Sequence, residues 1–224
     1  MQSYKLDILI LHFDDTYFYQ PNLCSIGREI DLRSFSEIRY MCSFDRLKML
    51  DEKIPSLKSS INFLGRGDYH YLTYLFVKRI KYPISLLVID NHWDGFETFE
   101  NYISCGSWIL EVKKLKNVKN IVFINSREKI ESNLFFVISQ PYPIYISIDK
   151  DILSEKYLRT SWKQGDLSIL DLYHILSHVP REKIVGIDVC GEPAFNILEY
   201  EKSERINLEI IKIMREEKDV RVSA

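Results

Sequence analysis

The chain has 224 residues, and its 30 Lys and Arg against 32 Asp and Glu give a formal charge of −2. That balance argues against a nucleic-acid or anionic-membrane binder, since both draw on a basic excess. Its 46% hydrophobic residues are ample for a core, its four cysteines (Cys24, Cys42, Cys105, Cys190) form no CxxC pair, and no apolar run approaches a membrane span. With no signal peptide ahead of the first apolar run, the expectation is one cytoplasmic domain over 1–224.

In chain order, the first apolar run, 6–12, reads as a strand and leads into His12-Phe13-Asp14. Helix-period spacing covers 44–50. A strand at 61–64 runs into Gly65-Arg66-Gly67-Asp68-Tyr69-His70, and a second helical stretch follows at 71–80. The run 84–89 is continuously apolar, as in a strand buried on both faces, and ends in Asp90-Asn91-His92-Trp93-Asp94. Next come a helix-period stretch at 97–103, strands at 108–112 and 120–124, a helix at 127–132 and a strand at 135–138. The strand 144–148 precedes Asp149-Lys150-Asp151. Gly165-Asp166-Leu167-Ser168 introduces a helix over 168–177, and the strand 184–189 ends in Cys190-Gly191-Glu192-Pro193. Within the charged segment 201–218, apolar residues over 205–214 predict a terminal helix with one solvated face. Strand and helix in alternation argue for an α/β fold with helices on both faces of a parallel sheet.

Ligands of open parallel sheets bind beyond the carboxyl ends of the strands. Four predicted strand ends carry His or carboxylate residues there, with six of the eight glycines in the same turns and nearby loops. Residues at i, i+2 and i+4 of an extended segment face one way, so Asp90, His92 and Asp94 can share a pocket, as can Asp149 and Asp151. Two imidazoles beside four carboxylates repel as bare groups, and divalent cations relieve that repulsion. A mixed His and carboxylate set suits Mn²⁺ better than a thiolate-preferring metal.

Asp90-x-His92-x-Asp94, Ser147-x-Asp149-x-Asp151 and the Gly-rich turn ending in His70 together resemble the metal-binding motifs of the arginase/agmatinase/formimidoylglutamase (ureohydrolase) family. Gly165-Asp166-Leu167-Ser168 resembles that family's Gly-Gly-Leu-Thr turn, and Asp188-Val189-Cys190-Gly191-Glu192-Pro193 its late Asp-Val-Val-Glu stretch. The resemblance implies a three-layer α/β/α fold around a central, mostly parallel sheet of about eight strands. It implies two Mn²⁺ ions per chain, one held by His70 and Asp94, the other by His92 and Asp151, with Asp90 and Asp149 bridging. It further implies a metal-activated water that attacks the central carbon of a small guanidino-type substrate and releases urea, in a chain that forms trimers or hexamers.

Two departures bear on the chemistry. Ser104-Cys105-Gly106 places Cys105 where the resembling family carries a proton-transferring histidine, and the late carboxylate that contacts the guanidinium comes one residue further along, at Glu192. Cys105 and Glu192 therefore join Asp90, His92 and Asp149 as catalytic candidates. Two alternatives stay open: a metal-binding relative without ureohydrolase activity, serving a binding or regulatory role, and a deacylase-type hydrolase using the same metal site. Blander readings accompany single residues. Asp94 and Asp151 could be helix caps, His12 a structural hydrogen-bonding group, His174 and His178 a helix face, and Trp93 a side chain directed away from the ligands.

Overall fold

The computed structural model describes residues 6–194 and 196–215. Nine strands and seven α-helices alternate along it. They are β1 (Asp7–His12), α1 (Pro21–Cys24), β2 (Arg28–Asp31), β3 (Met41–Ser43), α2 (Phe44–Lys53), β4 (Ser60–Phe63), α3 (Thr73–Arg79) and β5 (Ile84–Ile89). There follow β6 (Tyr102–Ser104), α4 (Trp108–Lys113), β7 (Val118–Ile124), α5 (Ile130–Ser139), β8 (Ile144–Asp149), α6 (Ile169–His178), β9 (Ile184–Cys190) and α7 (Ile197–Arg215).

Seven strands form one sheet in the order β2-β1-β4-β9-β8-β5-β7, and every pairing in it is parallel. The period-two alternation sorts its apolar residues between two cores. Ile8, Ile10, Leu87 and Ile89 face α5, α6 and α7, whose Leu134, Val137, Leu172, Ile175, Ile206 and Ile210 pack against them. Leu9, Leu11, Leu86 and Val88 face the opposite way, onto Leu47 and Leu50 of α2, Leu75 and Val77 of α3, and Trp108, Ile109 and Val112 of α4. This is the α/β/α sandwich expected from the alternation, with seven sheet strands and a separate antiparallel ribbon, β3–β6.

Three expected elements change, and the main sheet has one unexpected edge strand. The run 108–112 is helical, because Trp108, Ile109 and Val112 lie on one helical face and are fully buried. The run 135–138 lies within α5, where Leu134 and Val137 are buried while Phe135 is 76% exposed, a three-residue period that an apolar pentad conceals. The stretch 97–103 forms no helix and ends in β6. Strand β2, Arg-Glu-Ile-Asp, is an edge strand whose polar side chains give no apolar signal. The predicted terminal helix is α7; positions 216–218 of its charged segment lie outside the described residues.

Candidate metal centre

The strand order sets β4, β9, β8 and β5 side by side, so their carboxyl ends open onto one crevice. From β4 the chain enters a 3₁₀ turn, Gly67–Leu72, that carries His70. Gly67 is required there, since a Cβ on it would lie 2.9 Å from Asp149 Oδ2 and 3.0 Å from the Trp162 ring. From β5 come Asp90, His92 and Asp94; the last reaches the crevice through a left-handed backbone, φ 49°, rather than by strand alternation. At the end of β8, Asp149 Oδ1 accepts the Asp151 amide at 2.9 Å and starts a 3₁₀ turn, Lys150–Ile152. That turn leaves Asp149 and Asp151 facing the crevice and sends Lys150 the other way.

The six expected ligands converge. His70 Nδ1 lies 3.2 Å from Asp90 Oδ2, 3.2 Å from Asp94 Oδ2 and 3.6 Å from Asp149 Oδ2. His92 Nδ1 lies 2.7 Å from Asp151 Oδ2 and 3.8 Å from Asp90 Oδ1. Asp90 thus belongs to two ligand groups, one with His70 and Asp94 and one with His92 and Asp151. The Asp94 carboxylate is also held by Trp108 Nε1 at 2.8 Å.

Hydrogen bonding leaves this cluster incomplete. His70 Nδ1 and Asp90 Oδ2 are buried and have no hydrogen-bond partner. The reason lies behind the ring: Ser147 Oγ donates to Asp188 Oδ1 at 2.7 Å and so accepts from His70 Nε2 at 2.9 Å. Thr73 Oγ1 donates to the same Asp188 oxygen at 3.1 Å. This relay assigns the proton of a neutral His70 to Nε2 and turns the Nδ1 lone pair toward three carboxylates. Lone pair against carboxylate is repulsive in a low dielectric unless a proton or a metal cation lies between them, and a His and carboxylate donor set of this kind fits a divalent metal.

Titration behaviour points the same way. Burial, reinforced by the Asp151 charge, raises the Asp149 pKa to about 7, and burial likewise raises Asp90 well above the usual carboxylate range. The Asp151 hydrogen bond pushes His92 up to about 9. Burial opposes charge on His70, but Cys190, Asp90 and Asp94 together raise its pKa well above the ordinary value. The crevice attracts positive charge.

Beside the cluster opens a pocket of about 210 Å³, lined by His92, Asp94, Asp149 and Asp151 and walled by Phe96, Cys105 and Trp162. Trp162 is fixed by donating from Nε1 to the buried Asp68 at 3.0 Å. Cys105 faces this pocket, with burial pushing its thiol up to about 12. Glu192 departs from the expected substrate contact. It is buried away from the pocket, ion-paired with Lys150 and accepting from Gln20, Ser203 and Asn207 at 2.6, 2.7 and 2.8 Å. At the position before it, Gly191 takes φ 78°, and a Cβ there would lie 2.2 Å from Asp149 Oδ1, so no side chain fits where the carboxylate was expected.

Trp93 lies against Phe123 and under Lys113, outside the pocket. His12 bonds Glu29 at 2.8 Å. Two buried residues carry no signal of their place in the sequence: Cys190, whose Sγ donates to Asp149 Oδ2 at 3.2 Å, and Lys150, which anchors a separate network behind the cluster. A lone cysteine without a CxxC partner and a lysine between two aspartates carry no spacing signal.

No protein-family model matches the chain. It is 35% identical, over 94% of its own length and 90% of the relative's, to a Thermotoga maritima protein described as uncharacterized. Among solved structures it is similar to the agmatine ureohydrolase of Thermoplasma volcanium (TM-score 0.65, 14% identity, 96% of this chain and 92% of that one). It is also similar to the arginase of Bacillus subtilis (TM-score 0.66, 13% identity, 96% and 100%). A third similar structure is a Trypanosoma cruzi formiminoglutamase with Mn²⁺ (TM-score 0.63, 12% identity, 96% and 94%).

Proposed function

Because this chain belongs to the family of the Thermotoga maritima protein and has the arginase/ureohydrolase fold, we propose that it is a metal-dependent hydrolase of the ureohydrolase type, acting on a C–N bond of a small guanidino or related amidine substrate. The observation that carries this reading is the paired ligand groups meeting at Asp90, with His70 Nδ1 and Asp90 Oδ2 buried 3.2 Å apart between them and without a hydrogen-bond partner. His70, Asp90, Asp94 and Asp149 would hold one ion, and Asp90, Asp149, His92 and Asp151 the other, as Mn²⁺ in the formiminoglutamase supports. When bound, such a pair supplies Lewis acidity and brings the pKa of a water near neutrality.

The chain's own residues do the rest. Ser147 and Asp188 hold the His70 ring in one tautomer and one orientation. Trp162, locked by Asp68, and Phe96 wall the pocket with apolar surface and exclude water from one side of the substrate. Cys105 is the one pocket residue outside the ligand set with an exchangeable side-chain proton apart from the Trp162 indole, which is engaged. Its raised pKa makes it a weak proton donor at neutral pH.

The test is metal analysis followed by urea release. Purified protein reconstituted with Mn²⁺ is expected to carry close to two ions per chain, falling sharply in Asp90→Ala and Asp149→Ala, and to release urea from at least one of guanidine, agmatine, guanidinobutyrate and arginine. Persistently metal-free protein defeats the reading. Cys105 favours a second reading, a metal-binding relative without turnover. Under the hydrolase reading Cys105→His raises turnover about a hundredfold or more, the lower end of the range for general acid–base catalysis. Metal uptake with no urea from any of the four, in wild type and in Cys105→His alike, favours the second reading. Amine or acetate release without urea points instead to a deacylase.

A further inference from the structure

Cys190 lies where a metal ligand would be. In the β8–β9 register it is the direct partner of Asp149, and paired residues on neighbouring parallel strands project from the same side of the sheet. Its Sγ is 3.2 Å from Asp149 Oδ2. His70, Asp149 and Cys190 each offer one ligand atom, all three within 4.8 Å of one another and all three side chains buried. Among the described residues, Cys42 and Cys105 belong to no such group, and Cys24 groups only with His12 and the exposed Glu29, a set that is not buried throughout. Directly after Cys190, the backbone at Gly191 is pressed against the ligand turn, 2.6 Å from Lys150 N by its ideal Cβ. The sulfur is therefore held at depth by the two strands and cannot swing to solvent. His70, 1% exposed and with an Nδ1 that has no hydrogen-bond partner and faces carboxylates, supplies an independent sign that the space beside the sulfur suits a cation.

We propose that Cys190 is a ligand of the metal position that also uses His70 and Asp149, and that this position is built for a thiolate-accepting divalent ion of the zinc, cobalt or ferrous class rather than for Mn²⁺. The proposal rests on the reading above that the cluster holds divalent ions. Its chemical basis is ligand softness: a set of carboxylates and imidazole leaves Mn²⁺ competitive when it is abundant, and adding one thiolate favours the later, softer ions. On binding, the sulfur exchanges its hydrogen bond to Asp149 for a metal–sulfur bond, and the thiol proton passes to solvent. The site thereby gains a sulfur donor at the strand end where Gly191 leaves no room for a carboxylate.

Cobalt substitution tests this without relying on turnover. Metal-free full-length protein is loaded with Co²⁺, and near-ultraviolet absorption reports sulfur-to-cobalt charge transfer. Because Cys24 also lies in a possible ligand group, the band is read in a Cys24→Ser background, where it is expected with or without Cys105→Ser and absent once Cys190→Ser is added. In parallel, competition between Mn²⁺ and Zn²⁺, read by elemental analysis, is expected to lose about tenfold or more of its zinc preference in Cys190→Ser. Should Cys190→Ser fail to fold, X-ray absorption of the zinc-loaded double variant Cys24→Ser/Cys105→Ser, in which Cys190 is intact, decides the point; a sulfur neighbour at about 2.3 Å is expected. Cobalt bound without the band, a band that survives Cys190→Ser in that background, or a shell of nitrogen and oxygen alone overturns the assignment and leaves the hydrolase reading standing. Failure to take up any divalent ion overturns both.

Discussion

Two buried polar networks lie on opposite sides of the turn that follows β8, and they are built on opposite terms. Lys150 points to one side, where Glu192, Ser203 and Asn207 receive its ammonium and Gln20 closes the ring through Glu192 and Asn207. One positive and one negative charge, both fully buried, have partners at every contact. Asp149 and Asp151 point to the other side, into four carboxylates and two imidazoles with unpaired atoms at the centre. The same three residues thus anchor a closed network and an open one. The closed network shows what the fold does with buried charge when stability is the only demand. The open one is the proposed cation site, and under that proposal the repulsion among its bare groups is the cost of readiness for metal.

The largest effect should come from opening the closed side. Lys150→Met leaves Glu192 charged, buried and facing three neutral groups, and is expected to cost about 3–5 kcal/mol in urea-induced unfolding. The double variant Lys150→Met/Glu192→Gln should recover a large part of that loss. A single variant as stable as wild type would mean that the pair is not held as the structure describes.

Closing the open side comes next. Mn²⁺ at about 100 times its dissociation constant is expected to stabilise the chain by about 2.7 kcal/mol per site, with a matching rise in melting temperature that a chelator reverses. Zn²⁺ should do so at lower concentration if Cys190 ligates. The third effect has the opposite sign from the first. In metal-free protein Asp149→Asn removes one of the repelling carboxylates and should stabilise by about 1 kcal/mol, the scale of one unit of pKa shift, while abolishing most of the gain from metal. Neutralising a charge therefore destabilises on one side of the turn and stabilises on the other. Destabilisation by Asp149→Asn without metal would show that the carboxylate cluster is already satisfied and would remove the physical basis of the proposed site.

The candidate ligands are legible in the sequence because each follows a strand buried on both faces, and such strands deliver their carboxyl ends to one crevice. Alternation groups Asp90, His92 and Asp94, and the three do meet in the crevice, but Asp94 arrives there by a left-handed turn rather than by alternation. Lys150 and Cys190 were illegible because their meaning lies in partners 40 or more residues away, Glu192 and Ser203 for one and Asp149 for the other. Short apolar runs misled in a consistent way. Trp108 and Ile109 with Val112, and Leu134 with Val137, bury one face of a helix, and five or six residues do not distinguish that from a strand.

The smallest effect concerns histidines that have the spacing of a metal site and none of its setting. His174 and His178 lie one turn apart on α6 with ring centroids 4.1 Å apart. His174 bonds the exposed Glu131 at 2.8 Å, and His178 Nδ1 donates to the His174 carbonyl at 2.8 Å. Both rings are reached by water, which screens their charges and completes their hydrogen bonding, so neither nitrogen has to be satisfied by an ion. Replacing both by Ala should change stability by less than about 0.5 kcal/mol, the usual range for exposed positions, and leave the metal count of reconstituted protein untouched. A fall in bound metal would show that helical spacing alone suffices in this chain. An unchanged count would place the distinction where the two networks already put it: a buried imidazole whose inner nitrogen has only carboxylates to face calls for a cation, and an exposed one at ideal spacing does not.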